Sequence, residues 1–192
     1  IVASLVGSEM CIRDRPIAAA SIAQVHEAVL SNGSDVVIKI QRPGIRKKVI
    51  DDLKVMAWVA PKLVGKIPVA ALANPPALVE LFAETICEEL DFKLEVANLF
   101  EIKRVLYSNL KQEWEIPEPE LGLVTERVIV MTKISGVSLG DSIAMGIDSE
   151  SSSVVFRQMV EGLLEGAVIH GIFHGDFHAC LLYTSDAADE RN

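Results

Sequence analysis

Two short stretches hold side chains whose types and spacing could do chemistry. In the first, Val36-Val37-Ile38-Lys39-Ile40, a lysine interrupts an apolar, largely β-branched run. A buried ammonium without a counter-charge is costly, so Lys39 demands an acidic partner or an anionic ligand. In the second, Phe173-His174-Gly175-Asp176-Phe177-His178, an aspartate lies between two histidines just after an apolar helical pattern. An aspartate on such a loop suits taking a proton from a hydroxyl or a water, with a histidine holding the loop. Alone, His-Gly-Asp fits a capping aspartate better; its weight comes from what precedes it. A third feature is acidic. Glu84, Glu88, Asp91 and Glu95 recur at three- and four-residue spacing, on one face of a helix. Four carboxylates so placed repel one another and either attract a cation or form a solvated face.

The elements that must position these groups follow from periodicity. Ser31-Asn32-Gly33-Ser34 is turn chemistry between two β-branched flanks, which predicts a hairpin with Lys39 on its second strand. Ile45 to Lys66 carries apolar residues at helical spacing, among them Val49, Leu53, Met56 and Ala60, with Arg46, Lys47 and Lys48 near its start. Such a basic-then-apolar helix could lie on a membrane, although packing on its own domain is the commoner fate. Asn74-Pro75-Pro76 opens a second helical stretch running to about Leu110, with a break expected near Asp91-Phe92. Glu115 to Pro119 reads as a turn or edge strand, Val128 to Ile134 as a strand ending at Ser135-Gly136, and Asp141 to Ser153 as a connector. Val154 to His170 reads as a helix, with Gly171 where a left-handed cap belongs.

Composition bounds the answer. The 192 residues are 50% hydrophobic, with no apolar run of the length that a membrane span needs. A net charge of −9 argues against nucleic acid as a partner, since phosphate backbones are met by basic surfaces. Both ends, Leu5 to Arg15 and Cys180 to Glu190, resemble reading frames of the transposon-end adapters used in sequencing libraries. Residues 1–15 and 180–192 are therefore expected to be adapter-derived and are set aside. Of the three cysteines this leaves Cys87, which carries neither a disulfide nor a zinc site.

The order of parts is hairpin, lysine strand, acidic helix, linker strand, helix and acid-bearing loop, which is that of a kinase-like fold. Pro16-Ile-Ala-Ala-Ala-Ser-Ile-Ala-Gln-Val-His26, Lys39-Ile-Gln-Arg-Pro-Gly44, Glu89-Leu-Asp91 and Phe173 to His178 together resemble the UbiB family of atypical kinase-like proteins of coenzyme Q biosynthesis. The resemblance covers Pro16 to Ala179. It implies an α+β, two-lobed, protein-kinase-like fold, incomplete here: residues 16–135 as an N-lobe with an alanine-rich loop and a helical insert, and 136–179 as the start of a C-lobe.

The resemblance also implies roles. Asp176, Lys39 and Glu89 are the expected catalytic residues, with Glu89 as the first choice for the lysine's partner and Glu88 and Glu95 as rivals. Ala18, Ala19, Ala20 and Ser21 would lie over the nucleotide phosphates, and backbone from Met131 to Lys133 would meet adenine. Asp91, His174 and His178 would support the site. The implied cofactors are ATP or ADP with Mg2+, and the metal site is incomplete because the family's Gly-Asn pair and its Asp-Phe-Gly-type motif do not follow His178. The implied activity is that of an atypical kinase or ATPase supporting isoprenoid quinone synthesis, with this chain binding nucleotide weakly and not turning it over. Implied partners are nucleotide, membrane lipid or isoprenoid, and a quinone-biosynthesis complex. The implied location is intracellular and membrane-associated, at the bacterial inner membrane's cytoplasmic face or in an organelle. Two alternatives stay open: a phosphotransferase of the aminoglycoside or choline kinase type, against which the alanine-rich loop and Glu-Leu-Asp count, and a catalytically silent nucleotide- or lipid-binding regulatory module.

Overall fold

The computed structural model describes residues 10–12, 15–64, 66, 74–109, 115–138, 149–172 and 183–184. The chain divides into two compact units, Ile1–Val96 with Glu118–Thr132, and Ala97–Pro117 with Lys133–Asn192.

The first unit is built on an antiparallel sheet. Its strands are β1 (Met10–Ile12), β2 (Ala18–Ala19), β3 (Ala23–Leu30), β4 (Asp35–Gln41) and β5 (Val128–Thr132). They are ordered β1-β3-β4-β5, with β2 also paired to β3. The expected β3–β4 hairpin is present. Gly33 takes φ +87°, its N–H donates to the Leu30 carbonyl at 2.9 Å, and the Asn32 side chain accepts from Ser34 N–H at 2.9 Å. A left-handed residue after a tight turn matches the twist of the flanking strands, and glycine adopts it without a Cβ penalty.

Register gives the sheet two distinct faces. Ala28, Val36, Ile38, Val128 and Val130 form one apolar cluster, joined by Leu30, Ile40 and Leu123. The opposite face carries Ala23 and Ile129, on which Phe92 and Val96 pack. Because side chains alternate along a strand, Lys39 and Gln41 point to this second face. The sequence pattern of β4 therefore encodes one dry face and one face with two polar side chains.

Three helices follow the hairpin: α1 (Ile45–Leu63), α2 (Pro75–Glu89) and α3 (Phe92–Asn109). Gly44, at φ +73°, turns the chain into α1, and prolines fill the first positions of α2, where the missing N–H costs nothing. The expected long helical stretch is broken at Leu90-Asp91, as its sequence allowed. α1 packs along α2, yet α2 buries none of its residues, and Leu78, Leu81 and Phe82 of its apolar stripe are exposed. The outer edge of β5 is met by the Glu118–Glu120 segment: Thr132 N–H donates to Glu118 O at 3.0 Å and Glu120 N–H to Val130 O at 2.8 Å.

In the second unit, β6 (Val137–Ser138) pairs with β7 (Tyr183–Thr184). Helix α4 (Ser149–Glu165) starts within the stretch expected as a connector, and it ends in a π-helical turn, Gly166–His170. Gly171, at φ +68°, caps it as expected, its N–H donating to Gly166 O.

Candidate functional site

Lys39 lies mid-strand, opposite Val25 of β3 on one side and Ile129 of β5 on the other. Its Nζ donates to both carboxylate oxygens of Glu95, each at 2.7 Å. The same ammonium sits 4.9 Å from the centroid of the Phe92 ring, within range of a cation–π attraction. The pair is partly buried, with side-chain exposures of 23% for Lys39 and 32% for Glu95. An ammonium has three N–H donors, and two are spent on Glu95. The geometry thus combines a fixed cation with capacity for one further anionic contact.

The lysine's partner is Glu95, which corrects the expectation of Glu89. Glu89 is the last residue of α2 and is exposed, whereas Glu95 lies one turn into α3. The physical reason is the break. Asp91 Oδ1 accepts from Lys93 N–H at 3.0 Å, capping α3, so Glu89 and Glu95 belong to different helices. The acidic face drawn from uninterrupted helical spacing is split by that break. Glu84 and Glu88 remain exposed, Asp91 becomes a cap, and Glu95 meets the cation that the cluster called for.

The alanine-rich stretch is also placed. Ala18 and Ala19 pair with Val25 and Gln24, which puts Ala18, Val25, Lys39 and Ile129 in one row across the sheet. Ala20 N–H donates to Ala23 O at 2.9 Å, closing the turn through Ser21, and Arg42 Nε donates to Ala20 O at 3.1 Å. Ala18 to Ser21 are exposed. Met131 pairs opposite Val37 within β5, and Lys133 follows the strand at the start of the second unit. Asp176, His174 and His178 lie outside the described residues. No group of three or more metal-ligating side chains occurs among the described residues.

One residue at this site had been given no role on sequence grounds. Gln41 is 7% exposed and is the buried polar residue among those described. Its Nε2 donates to Leu90 O at 2.8 Å and Glu126 O at 3.2 Å. The signal was available: a glutamine two residues after Lys39 shares that lysine's face of the strand.

Comparison with known proteins decides the family. The sequence model of the ABC1 atypical kinase-like domain matches residues 11–189. The chain belongs to the ABC1 atypical kinase-like family. That match reaches into both end segments set aside on sequence grounds. The chain is 34% identical over 175 residues to an uncharacterized protein of Mycobacterium tuberculosis, covering 91% of this chain and 36% of that one. It is 38% identical over 128 residues to the probable protein kinase UbiB of Vibrio cholerae, covering 66% of this chain and 23% of the relative. Among solved structures, the Rv3197–erythromycin complex from Mycobacterium tuberculosis matches with a TM-score of 0.70 and 28% identity, over 90% of this chain and 42% of that one. The ABC1 chain thus spans less than half the length of each, and the expected kinase-like α+β class and UbiB relationship both hold.

Proposed function

We propose that this ABC1 chain is the nucleotide-gripping part of a UbiB-like atypical kinase or ATPase that supports isoprenoid quinone synthesis. The observation that carries the reading is the Lys39–Glu95 pair, two 2.7 Å contacts between a mid-strand lysine and a helix carboxylate. In kinase-like folds a strand lysine paired with a helix glutamate grips nucleotide phosphates. The residues present fit such a group. Lys39 retains a donor for an anion, and the exposed Ala18 lies in one row with it across β3. Magnesium nucleotide would supply the transferable phosphoryl group. Lys39 would bind its phosphates, backbone from Met131 to Lys133 would orient the base, and Asp176, with His174 and His178 holding its loop, would take a proton from the acceptor. Alanine methyls in place of glycines keep a phosphate further from the backbone, which favours a slow ATPase or small-molecule kinase over a protein kinase. The ABC1 family match and the likeness to UbiB support this reading over an aminoglycoside-type phosphotransferase. The same reading gives the whole protein a membrane lipid or isoprenoid and a quinone-biosynthesis complex as partners. No helix among the described residues is long and apolar enough to cross a membrane.

The test is titration of the chain with a fluorescent ATP analogue and Mg2+, alongside Lys39→Met. Saturable binding is expected, weakened about tenfold or more in the variant, which corresponds to roughly 1.4 kcal/mol. Equal affinity in both proteins would reject the assignment.

A further inference from the structure

Lys39 and Gln41 point from β4 to the same face, two residues apart, yet only the lysine has a role in the reading above. The geometry points to Gln41 as a positioning residue that clamps the start of α3 and thereby holds Glu95 against Lys39. This rests on the proposed nucleotide site for its functional consequence, but its geometry stands without it.

Three observations converge. First, the Gln41 carboxamide donates to Leu90 O at 2.8 Å, inside the break between α2 and α3. A helix-end carbonyl has no intrahelical partner, so this donor satisfies a group that would otherwise be stranded in a buried setting. Second, the same nitrogen reaches Glu126 O at 3.2 Å, and that carbonyl also accepts from Phe92 N–H at 3.1 Å. The first residue of α3 is thus tied to the segment entering β5, and Gln41 bridges both. Gln41's own backbone N–H donates to Arg127 O at 3.0 Å, so strand and side chain grip the same segment. Third, Phe92 is fully buried under the Lys39 ammonium, and Glu95 follows it by three residues, on the same helical face. A shift of the α3 start moves Phe92 and Glu95 together, away from the lysine.

The consequence is that α3 does not swing freely to make and break the ion pair. A helix attached only by apolar packing can slide, whereas one whose first turn is hydrogen-bonded to the lysine's own strand moves with that strand. Capping by Asp91 adds to the same fixation, because Lys93 N–H is bound within that first turn.

The experiment measures acylation of Lys39 by an N-hydroxysuccinimide ester, read by mass spectrometry on the full 192-residue chain, with exposed Lys54 as internal reference. Glu95→Gln removes the carboxylate and is the positive control. Gln41→Met keeps the volume and removes the donor. Each is expected to raise Lys39 labelling relative to Lys54 by about fivefold, and the double variant no further, since both act through one contact. Unchanged labelling in Gln41→Met, or labelling that multiplies in the double variant, overturns the clamp; a purely structural loss of stability gives the latter. Should Gln41→Met fail to fold, Gln41→Asn keeps the amide one carbon short of its acceptors, and is expected to raise labelling at least about twofold; no rise overturns the proposal equally. Binding of the fluorescent ATP analogue is measured on the same proteins. If no variant and not even the parent chain binds it, the nucleotide reading fails while the labelling ratio still judges Gln41.

Discussion

At the scale of the residue, the ion pair and the polar clamp call for different arithmetic. Lys39 and Glu95 keep 23% and 32% of their side-chain surface exposed, so either can regain water if the other is removed. Their contribution to stability therefore belongs with partly exposed pairs, at about 1 kcal/mol or less, and not with fully buried ones at about 3–5 kcal/mol. Glu95→Gln should lower the melting temperature by only about 2–4 °C or less. Its effect on nucleotide affinity should be larger in proportion, because it leaves the ammonium without orientation. Calorimetry and nucleotide titration on the same sample check the split; a large melting shift with unchanged affinity would make Glu95 a structural residue. Gln41 is the reverse case. Its partners are carbonyls in a buried setting, so Gln41→Met strands Leu90 O and is expected to cost about 1–3 kcal/mol in denaturant unfolding.

At the scale of the element, the turn after α4 is a close-packed joint. Gly166 is buried, its carbonyl accepts from Ile172 N–H at 2.9 Å, and an added Cβ would meet Ile172 O at 2.7 Å. The obstacle is backbone, which cannot rotate away as a flexible side chain would. Gly166→Ala should therefore destabilise by about 1–3 kcal/mol, the range for overpacking. Gly122 in the short helical turn Leu121–Leu123 is the control: a Cβ there meets nothing within 4 Å. Gly122→Ala is expected within about 0.5 kcal/mol of the parent. Equal effects at the two glycines, read by urea unfolding, would contradict the close approach at Ile172.

At the scale of the whole molecule, charge and apolar surface speak to partners. The net charge of −9 argues against a phosphate backbone as partner, since such a backbone is met by basic surfaces. A fluorescent oligonucleotide should show no rise in anisotropy up to about 100 μM protein at near-physiological salt, a titration that spans the range of ordinary non-specific binders. Saturable binding would require a local basic cluster strong enough to outweigh that charge. The exposed Leu78, Leu81 and Phe82 of α2 belong to a helix whose apolar stripe is clear in sequence but buries nothing in this chain.

Much of this was legible in the residues themselves. The β3–β4 hairpin was fixed by Asn32-Gly33 between β-branched flanks, the α2 entry by Asn74-Pro75-Pro76, and the α4 cap by Gly171, because each is local backbone chemistry. The need of Lys39 for a carboxylate was equally plain, since desolvating an ammonium is costly whatever surrounds it. Which carboxylate answers that need was not. The resemblance put Glu89 first and helical spacing left Glu88 and Glu95 as rivals, and only the helix break at Leu90-Asp91, held by Gln41 from a strand 49 residues earlier, brought Glu95 to the sheet. Local sequence determines what a segment prefers to be; a contact between distant segments depends on how they pack, and that is decided in three dimensions.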